Sequence, residues 1–474
     1  MDTRADSEVR KDPTLSTTDQ QRWLYALPNL GLIATQQAFG AFALFYYADV
    51  KRLPPAWVGL ALTAFAIYNA INNPILGYVS DRTRTRWGRR IPYMMFGTIP
   101  MAIAFALLWV APFDGTTQPV ALLIYFIAVL VVWDGLYTAM GTIAYYGLLP
   151  EMFPSYEART DVGARMNLFL LIGLLVGLAL PPLIYGNDEF WARFSGGLPP
   201  AIAPHLGWIV MGVAYAVLAT ILVHIGLRGM VERPLDDEVD NSPVWDEIGK
   251  ALTNVNFLSV IGAQTLRFVV TYTLTAGIPF YVQYTLRVDE TNSSIILGVV
   301  VLSAIPALLI WKAVARAIGP RGTLMAAFAV MAVSVLPLGL PLTVASTSFV
   351  GVFIGIGLSG MIYMGDLILT DVVDEDELLT GRRREGIYYG FLGLITTLAS
   401  AISALLFTWV ATRFGYDTAL LVQPASVGEG FRFFMTIPPF IGSLAAAGML
   451  MFYQLHGDRL EEVKQQLAAK QSAA

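Results

Sequence analysis

The sequence has no cysteine, only three histidines and little charge. Without cysteine there are no disulfides, no thiol catalysis and no zinc–thiolate site, and the redox compartment stays open. His205, His224 and His456 stand far apart, which argues against a histidine metal cluster. Charged residues make up 14% of the chain, against about 25% in an ordinary soluble domain. With 30 basic and 35 acidic residues the net charge is −5, so no basic surface marks nucleic acid as a partner. Low charge combined with 12% aromatics also excludes a disordered chain. No nucleophile–base pair, metal ligand set or phosphate loop stands out, so neither an enzyme nor a cofactor is expected.

What the 474 residues do hold is apolar sequence: 56% hydrophobic, with a mean hydropathy of +0.60. Runs free of Asp, Glu, Lys and Arg cover residues 23–48, 53–80, 91–113, 166–187, 194–227, 291–311, 386–412 and 433–457. Two further runs carry one charge each: 115–150 contains Asp134, and 251–286 contains Arg267. The run 322–365 is long enough for two spanning helices at ~20 residues each. It is interrupted by Pro337, Gly339 and Pro341, with a Ser/Thr-rich turn near Ser346–Ser348. These runs predict an all-α membrane protein of twelve spans, here numbered 1–12 in chain order, because in hydrocarbon only a helix satisfies its own backbone.

An even number of spans puts both termini on one side. Of the 30 basic residues, Lys51, Arg52, Arg193, Arg287, Arg413 and Arg432 fall opposite the termini, Arg267 falls inside a span, and the other 23 share the side of the termini. That bias predicts cytoplasmic termini and a plasma-membrane location, the inner membrane in a bacterium. The polar residues 1–22 lack an apolar signal segment and read as a disordered cytoplasmic tail. The expected order is then a six-helix bundle over 23–228, a central cytoplasmic loop over 229–254, a second six-helix bundle over 255–457 and a cytoplasmic tail over 458–474. Within the loop, Ser242-Pro243 opens a short helix with Trp245, Ile248 and Leu252 on one face. The tail repeats that pattern with Leu460, Val463 and Leu467. The two halves resemble each other. Pro150-Glu151…Arg159-Thr160…Arg165 follows span 4, and Asp371…Asp374-Glu375-Asp376…Arg382-Arg383-Arg384 follows span 10. Paired six-helix repeats are a transporter architecture with the site near mid-membrane.

Span 2 reads Tyr68-Asn69-Ala70-Ile71-Asn72-Asn73-Pro74, then Gly77-Tyr78-Val79-Ser80-Asp81-Arg82, and runs on to Gly88-Arg89-Arg90. This stretch, with Tyr46-Tyr47-Ala48-Asp49-Val50 and Asp371-Val372-Val373-Asp374, resembles the glycoside–pentoside–hexuronide:cation symporters of the major facilitator superfamily over essentially the whole chain. The resemblance implies the superfamily's fold and a charged cytoplasmic gate built from Asp81, Arg82, Arg89, Arg90, Asp371 and Asp374. Read from the residues alone, the five arginines are a topology anchor at a helix end. The family's paired cation-binding carboxylates on span 2 correspond here to Asn69 and Asn73, whose oxygens can ligate but bring no charge. Its lysine on span 11 corresponds to Thr397. Its acidic sugar ligands on spans 1 and 4 fall at 33–37 and at Gly141-Thr142.

Asp134 and Arg267 both come near the centre of a ~30 Å slab at 1.5 Å per residue. Facing lipid, each would cost roughly 2.5–3.5 kcal/mol. Polar residues at helical spacing accompany them: Thr138, Thr142 and Tyr145 after Asp134, and Gln264, Thr271 and Thr275 around Arg267. The candidate substrate-binding residues are Asp134, Arg267, Gln264, Thr138, Tyr145, Tyr146, Tyr272, Gln37, Asn69 and Thr397. The cation-coupling candidates are Asp134, Asn69, Asn73 and Asp366. Asp134 and Arg267 are expected either to pair switchably across the two bundles or to form static buried contacts. The expectation is a monomeric secondary transporter in the lipid bilayer. It moves a sugar- or glycoside-like solute by alternating access with a coupling cation, a proton being preferred over sodium. The alternatives are an amphipathic or lysolipid-like substrate, an uncoupled facilitator, or a non-transporting sensor.

Overall fold

A computed structural model describes residues 17–153, 155–199, 203–232, 252–380, 385–420 and 422–473. The helix expected after Ser242-Pro243 and the run Arg382–Arg384 lie outside the described residues, as do the side chains of Asp81 and Arg82. The described chain is helical and divides into two compact units. Unit 1 is Met1–Glu238 with Asp289–Ser294 and Thr418–Leu421; unit 2 is Val239–Val288, Ile295–Asp417 and Val422–Ala474.

In unit 1, spans 1–3 are Pro28–Phe45, Pro55–Arg82 and Ile91–Val110. Span 4 runs from Pro119 to Met152. Span 5 begins at Tyr156–Ala179, and span 6 is Leu206–Leu227. Proline stands in the first turn of the helices starting at Pro28, Pro55, Ile91 and Pro119, where its missing N–H costs nothing and its fixed φ favours the helix. In unit 2, span 7 is Val255–Phe280. Spans 8 and 9 lie within Asn292–Val335, where Gly319 at φ 73° and ψ 172° breaks the helix. A left-handed φ of this kind suits glycine, and Pro320 follows it. Spans 10–12 are Val344–Thr380, Glu385–Arg413 and Ala425–Met449. Among the described residues nine segments are long and apolar enough to cross a membrane, and one of them, Asn292–Gly339, holds both spans 8 and 9. The helix order is consistent with twelve spans. The break expected near Pro337–Pro341 is present as Leu336–Gly339 and the residues after it. Ser346 differs: it lies in the first turn of span 10, its hydroxyl 2.8 Å from the Thr343 backbone nitrogen.

Span 4 is not uniform. Pro119–Tyr137 is α-helical, Thr138–Tyr145 is π-helical and Tyr146–Met152 is α-helical again. The wider π turn breaks the stripe that a 3.6-residue period draws through Asp134, Thr138, Thr142 and Tyr145. Thr142 is exposed while Tyr145 is fully buried.

Aromatic rings pack one end of each unit. Tyr46 and Tyr47 donate to the carbonyls of Trp109 and Leu108 at 2.6 and 2.7 Å, and Trp208 stacks on Trp109 and on Tyr185. Phe280, Phe407, Phe431, Tyr284 and Tyr416 form the counterpart in unit 2. Buried hydroxyls meeting carbonyls and rings in offset contact are what lets such bulky residues pack tightly.

The polar tail is ordered where it meets span 1. Asp19–Ala26 is a helix opened by a Thr18/Gln21 capping box. It is held to span 5 by Arg165–Asp19 at 2.6 Å and Arg22–Asp161 at 3.0 Å. The expectation of disorder therefore fails for these residues, because each ion pair has a fixed partner. At the other terminus, Asp458–Ala473 packs Leu460 and Leu467 inward. Lys464–Asp371 at 3.1 Å and Arg459–Glu375 at 2.9 Å fasten that helix to span 10.

The turn Asp289–Ser294 packs within unit 1. There burial pushes the Glu290 carboxyl up to about 8, and the neighbouring charges of Asp49, Asp188 and Asp289 push the same way. Between its ordinary value of 4.5 and about 8, the folded chain binds more protons than the unfolded chain, so stability falls as pH rises through that window. Thermal unfolding of wild type and Glu290→Gln at pH 5 and pH 8 checks this. Wild type should lose more stability than the variant on going to pH 8, and equal losses would contradict it.

Candidate functional site

In unit 1 the polar groups of spans 2 and 4 meet. Asn69, 7% exposed, brings its amide beside the Asp134 carboxylate. The second carboxylate oxygen, Oδ2, is buried without a partner, as are the side-chain oxygens of Asn69 and Asn73. The Tyr68 hydroxyl stands beside them, 2.9 Å from where a Cβ on Gly135 would sit. Spans 2 and 4 thus bury acceptor oxygens on Asp134, Asn69 and Asn73 and donor groups on Asn72 and Trp133 without partners of their own. Leaving buried polar atoms unpaired costs about 1–3 kcal/mol each, so polar groups at this depth in spans 2 and 4 make them the candidate site of unit 1.

The other unit 1 candidates are placed as follows. Thr138 is buried at the start of the π turn. Tyr145 stacks on Tyr25 with ring centroids 5.0 Å apart, and each hydroxyl donates to the other's backbone carbonyl. Its polar tip is thus occupied by packing. Tyr146 is 42% exposed and donates to Asn29 Oδ1 at 3.0 Å. Gln37 packs against span 5, its Cβ 2.8 Å from where one on Gly177 would sit. The neighbouring Gln36 takes the Tyr137 hydroxyl at 3.3 Å.

In unit 2 spans 7 and 10 meet. Gln264 is fully buried, and neither its Oε1 nor its Nε2 has a partner. Both atoms lie 2.8 Å from where a Cβ on Gly365 would stand, so that glycine makes room for the amide. One turn on, Arg267 is 6% exposed, with its guanidinium carbon 4.2 Å above the Phe268 ring and its Nε unpartnered. Asp366, exposed beside Gly365, attracts Arg267, and Tyr272 lies within its field. The hydroxyls of the stripe are satisfied locally. Thr271 bonds the Arg267 carbonyl at 2.9 Å, Thr275 the Thr271 carbonyl at 2.8 Å and Thr397 the Gly393 carbonyl at 3.1 Å.

The arginine-rich end of unit 1 is a buried ionic network. Arg89 and Arg90 both reach Glu151 Oε1, at 2.5 and 3.0 Å. The Glu232 carboxylate accepts from the backbone N–H groups of Arg89, Arg90 and Ile91 at 2.7, 2.8 and 3.2 Å, capping span 3. Gly88 permits this twice over. Its φ is +102°, and a Cβ there would fall 2.2 Å from Glu232 Oε2. Glu232 was not legible as part of this cluster, because its role rests on a contact between residues 142 positions apart. In unit 2, Asp371 is taken by Lys464 of the C-terminal helix.

Apolar spans that carry Asp134, Arg267 and Gln264 at depth in a helical membrane protein fit the class of secondary transporters. The chain is a member of the MFS/sugar transport protein family, whose profile matches residues 24–457. It is 26% identical to the isoprimeverose transporter of Lactiplantibacillus pentosus, over 93% of this chain and 89% of that protein. It is 25% identical to an uncharacterized symporter of Synechocystis, over 94% of this chain and 96% of that protein. Among solved structures, the inward-facing, unoccupied form of a bacterial homologue of the lysosomal transporter Spinster superposes with a TM-score of 0.67. The two are 13% identical, with 92% of this chain and 97% of that one covered, which speaks to the fold.

Proposed function

We propose that this transporter carries a sugar or glycoside by symport with a proton, working as a single chain in a plasma membrane with both termini cytoplasmic. The observation that supports proton coupling is the Asp134 carboxylate, with the Asn69 amide beside it and its Oδ2 buried without a partner. Span 2 supplies two neutral amides to this site, and Asp134 supplies its carboxylate. A metal cation entering from water would lose its hydration shell for a single compensating charge, whereas a proton needs one carboxylate oxygen. In this reading Asn69, Asn73 and Asp134 hold the proton and the first hydroxyls of the solute. Within unit 2, Arg267, Gln264 and Tyr272 are the candidate solute ligands, with Asp366 as a further coupling candidate. Asp81, Arg82, Arg89 and Arg90 in unit 1, and Asp371 and Asp374 in unit 2, are the gating candidates of their cytoplasmic ends. Similarity to an isoprimeverose transporter and to a symporter supports the sugar class and symport.

The test is uptake of isoprimeverose and a panel of methyl glycosides into proteoliposomes. Accumulation is expected when an inward proton gradient is imposed and not when a sodium gradient alone is imposed. Sodium-driven accumulation at equal pH would overturn the proton assignment, and no accumulation of any sugar would overturn the substrate class.

A further inference from the structure

Spans 3 and 6 of unit 1 meet closely where a Cβ on Gly212 would run into the Trp109 ring. Between that contact and the start of span 3 lies a groove of about 280 Å³, lined by Ile99, Ile103 and Ala106 on one side and by Ala216, Val217 and Ile221 on the other. The Thr220 hydroxyl beside them donates to the Ala216 carbonyl of its own helix at 2.7 Å, so the groove offers a guest no free polar side chain. Helical spacing carries both walls past the groove to aromatic and basic groups. On span 3, Phe96 shares the face of Ile99 and Ile103, and its ring meets the Trp87 ring edge-on at 5.5 Å. The Arg86 guanidinium lies over Trp87, its carbon 4.0 Å from the ring centroid. On span 6, His224 and Arg228 follow Val217 and Ile221 along one face. Arg86 and Arg228 are exposed, and among the described residues neither has an ion-pair partner. The nearby Glu232 carboxylate is already taken by the backbone N–H groups of Arg89, Arg90 and Ile91.

We infer that this groove binds an anionic phospholipid of the adjoining leaflet, with one acyl chain between spans 3 and 6 and the headgroup at the basic end marked by Arg86 and Arg228. In the orientation proposed above that leaflet is the cytoplasmic one. A convex helix face only brushes passing chains, whereas a concave, apolar lining encloses one and gains dispersion contacts along its length. Trp87 is 41% exposed beside the groove, a residue suited to headgroup depth. The arginine stems follow the apolar surface while their forks reach the phosphate oxygens. A free phosphate ion satisfies the arginines and leaves the groove empty, so the two halves of the site together point to a lipid. None of the residues assigned to the solute or to the coupling proton takes part, and the inference stands apart from the choice of substrate.

The experiment is thermal unfolding of the purified full-length protein in detergent, titrated with dioleoylphosphatidylglycerol, dioleoylphosphatidylcholine or glycerol phosphate. Stabilisation follows bound ligand, and each arginine at an anionic headgroup is worth about fivefold in affinity. Phosphatidylglycerol should therefore stabilise wild type at roughly twentyfold lower concentration than phosphatidylcholine, and glycerol phosphate, which has no acyl chain, should not stabilise it. Arg86→Gln should cut the preference about fivefold. Lys312→Gln, which removes an exposed lysine of span 8 in the other unit, should leave it unchanged. Val217→Trp fills the groove and should abolish the preference. Residue 217 is 51% exposed, so the larger ring displaces no packed side chain. Equal responses of wild type to the two lipids would overturn the site. So would a loss in Lys312→Gln as large as in Arg86→Gln, which would mean a diffuse attraction to negative charge. Stabilisation by glycerol phosphate alone, or an undiminished preference in Val217→Trp, would remove the acyl chain from the groove and overturn it equally.

Discussion

Asp134→Asn should abolish proton-driven accumulation while leaving exchange of solute across the membrane largely intact. The energetic scale is set by the gradient. One pH unit corresponds to about 1.4 kcal/mol, which sustains roughly a tenfold concentration ratio for one proton per solute. Wild type should therefore approach tenfold accumulation at a one-unit gradient, and the variant should settle near a ratio of one. Asparagine keeps the size of the side chain and a carbonyl oxygen toward the site, so the contact with Asn69 can be kept by an amide flip, and hydroxyl contacts to the solute need not be lost. Counterflow, in which labelled solute exchanges for unlabelled without net proton movement, separates the outcomes. Loss of accumulation with counterflow retained assigns the coupling proton to Asp134. Loss of both makes Asp134 a substrate ligand only, and retention of both removes it from the site.

Much of the architecture was legible because the hydrocarbon slab imposes a simple rule: uncharged runs of sufficient length, bounded by charge, become helices. Asp134 and Arg267 were conspicuous for the same reason, as charges in runs that should have none. Periodicity misled where the backbone left the α-helix. The stripe through Thr138, Thr142 and Tyr145 assumed 3.6 residues per turn, and the π-helical stretch Thr138–Tyr145 turned Tyr145 into the bundle, against Tyr25. The stripe on span 7 was real, but its threonines bond to their own helix and only Gln264 and Arg267 keep free groups. Both side chains are too long to fold back onto the preceding turn as a threonine hydroxyl does. The ordered N-terminal helix went unseen because its contacts lie more than a hundred residues away, in the Tyr25 ring stacked on Tyr145 and in the pairs with Arg165 and Asp161. Propensity and composition carry no information about such pairs.

Glu151→Gln is expected to be the most destabilising of the conservative charge changes at the arginine-rich end. The Glu151 side chain is 1% exposed and is the shared counter-ion of Arg89 and Arg90, whose side chains are 18% and 14% exposed. Removing it leaves two largely buried guanidinia facing each other. Breaking a buried pair by deleting one partner costs about 3–5 kcal/mol, because the surviving charge stays desolvated. Glu232 softens the loss at Arg89, whose Nε is 3.8 Å away, but meets Arg90 only at its backbone N–H. Asp19→Asn provides the contrast. Asp19 also pairs with an arginine at 2.6 Å, but its side chain is 74% exposed, and such pairs are worth roughly 0–1 kcal/mol. Thermal unfolding in one detergent should rank Glu151→Gln far below Asp19→Asn. Arg90→Gln combined with Glu151→Gln should recover part of the loss, since the double variant no longer strands that guanidinium. If the double variant is as unstable as the sum of its parts, the two residues are not energetically coupled, and the network at this end holds the backbone through Glu232 alone.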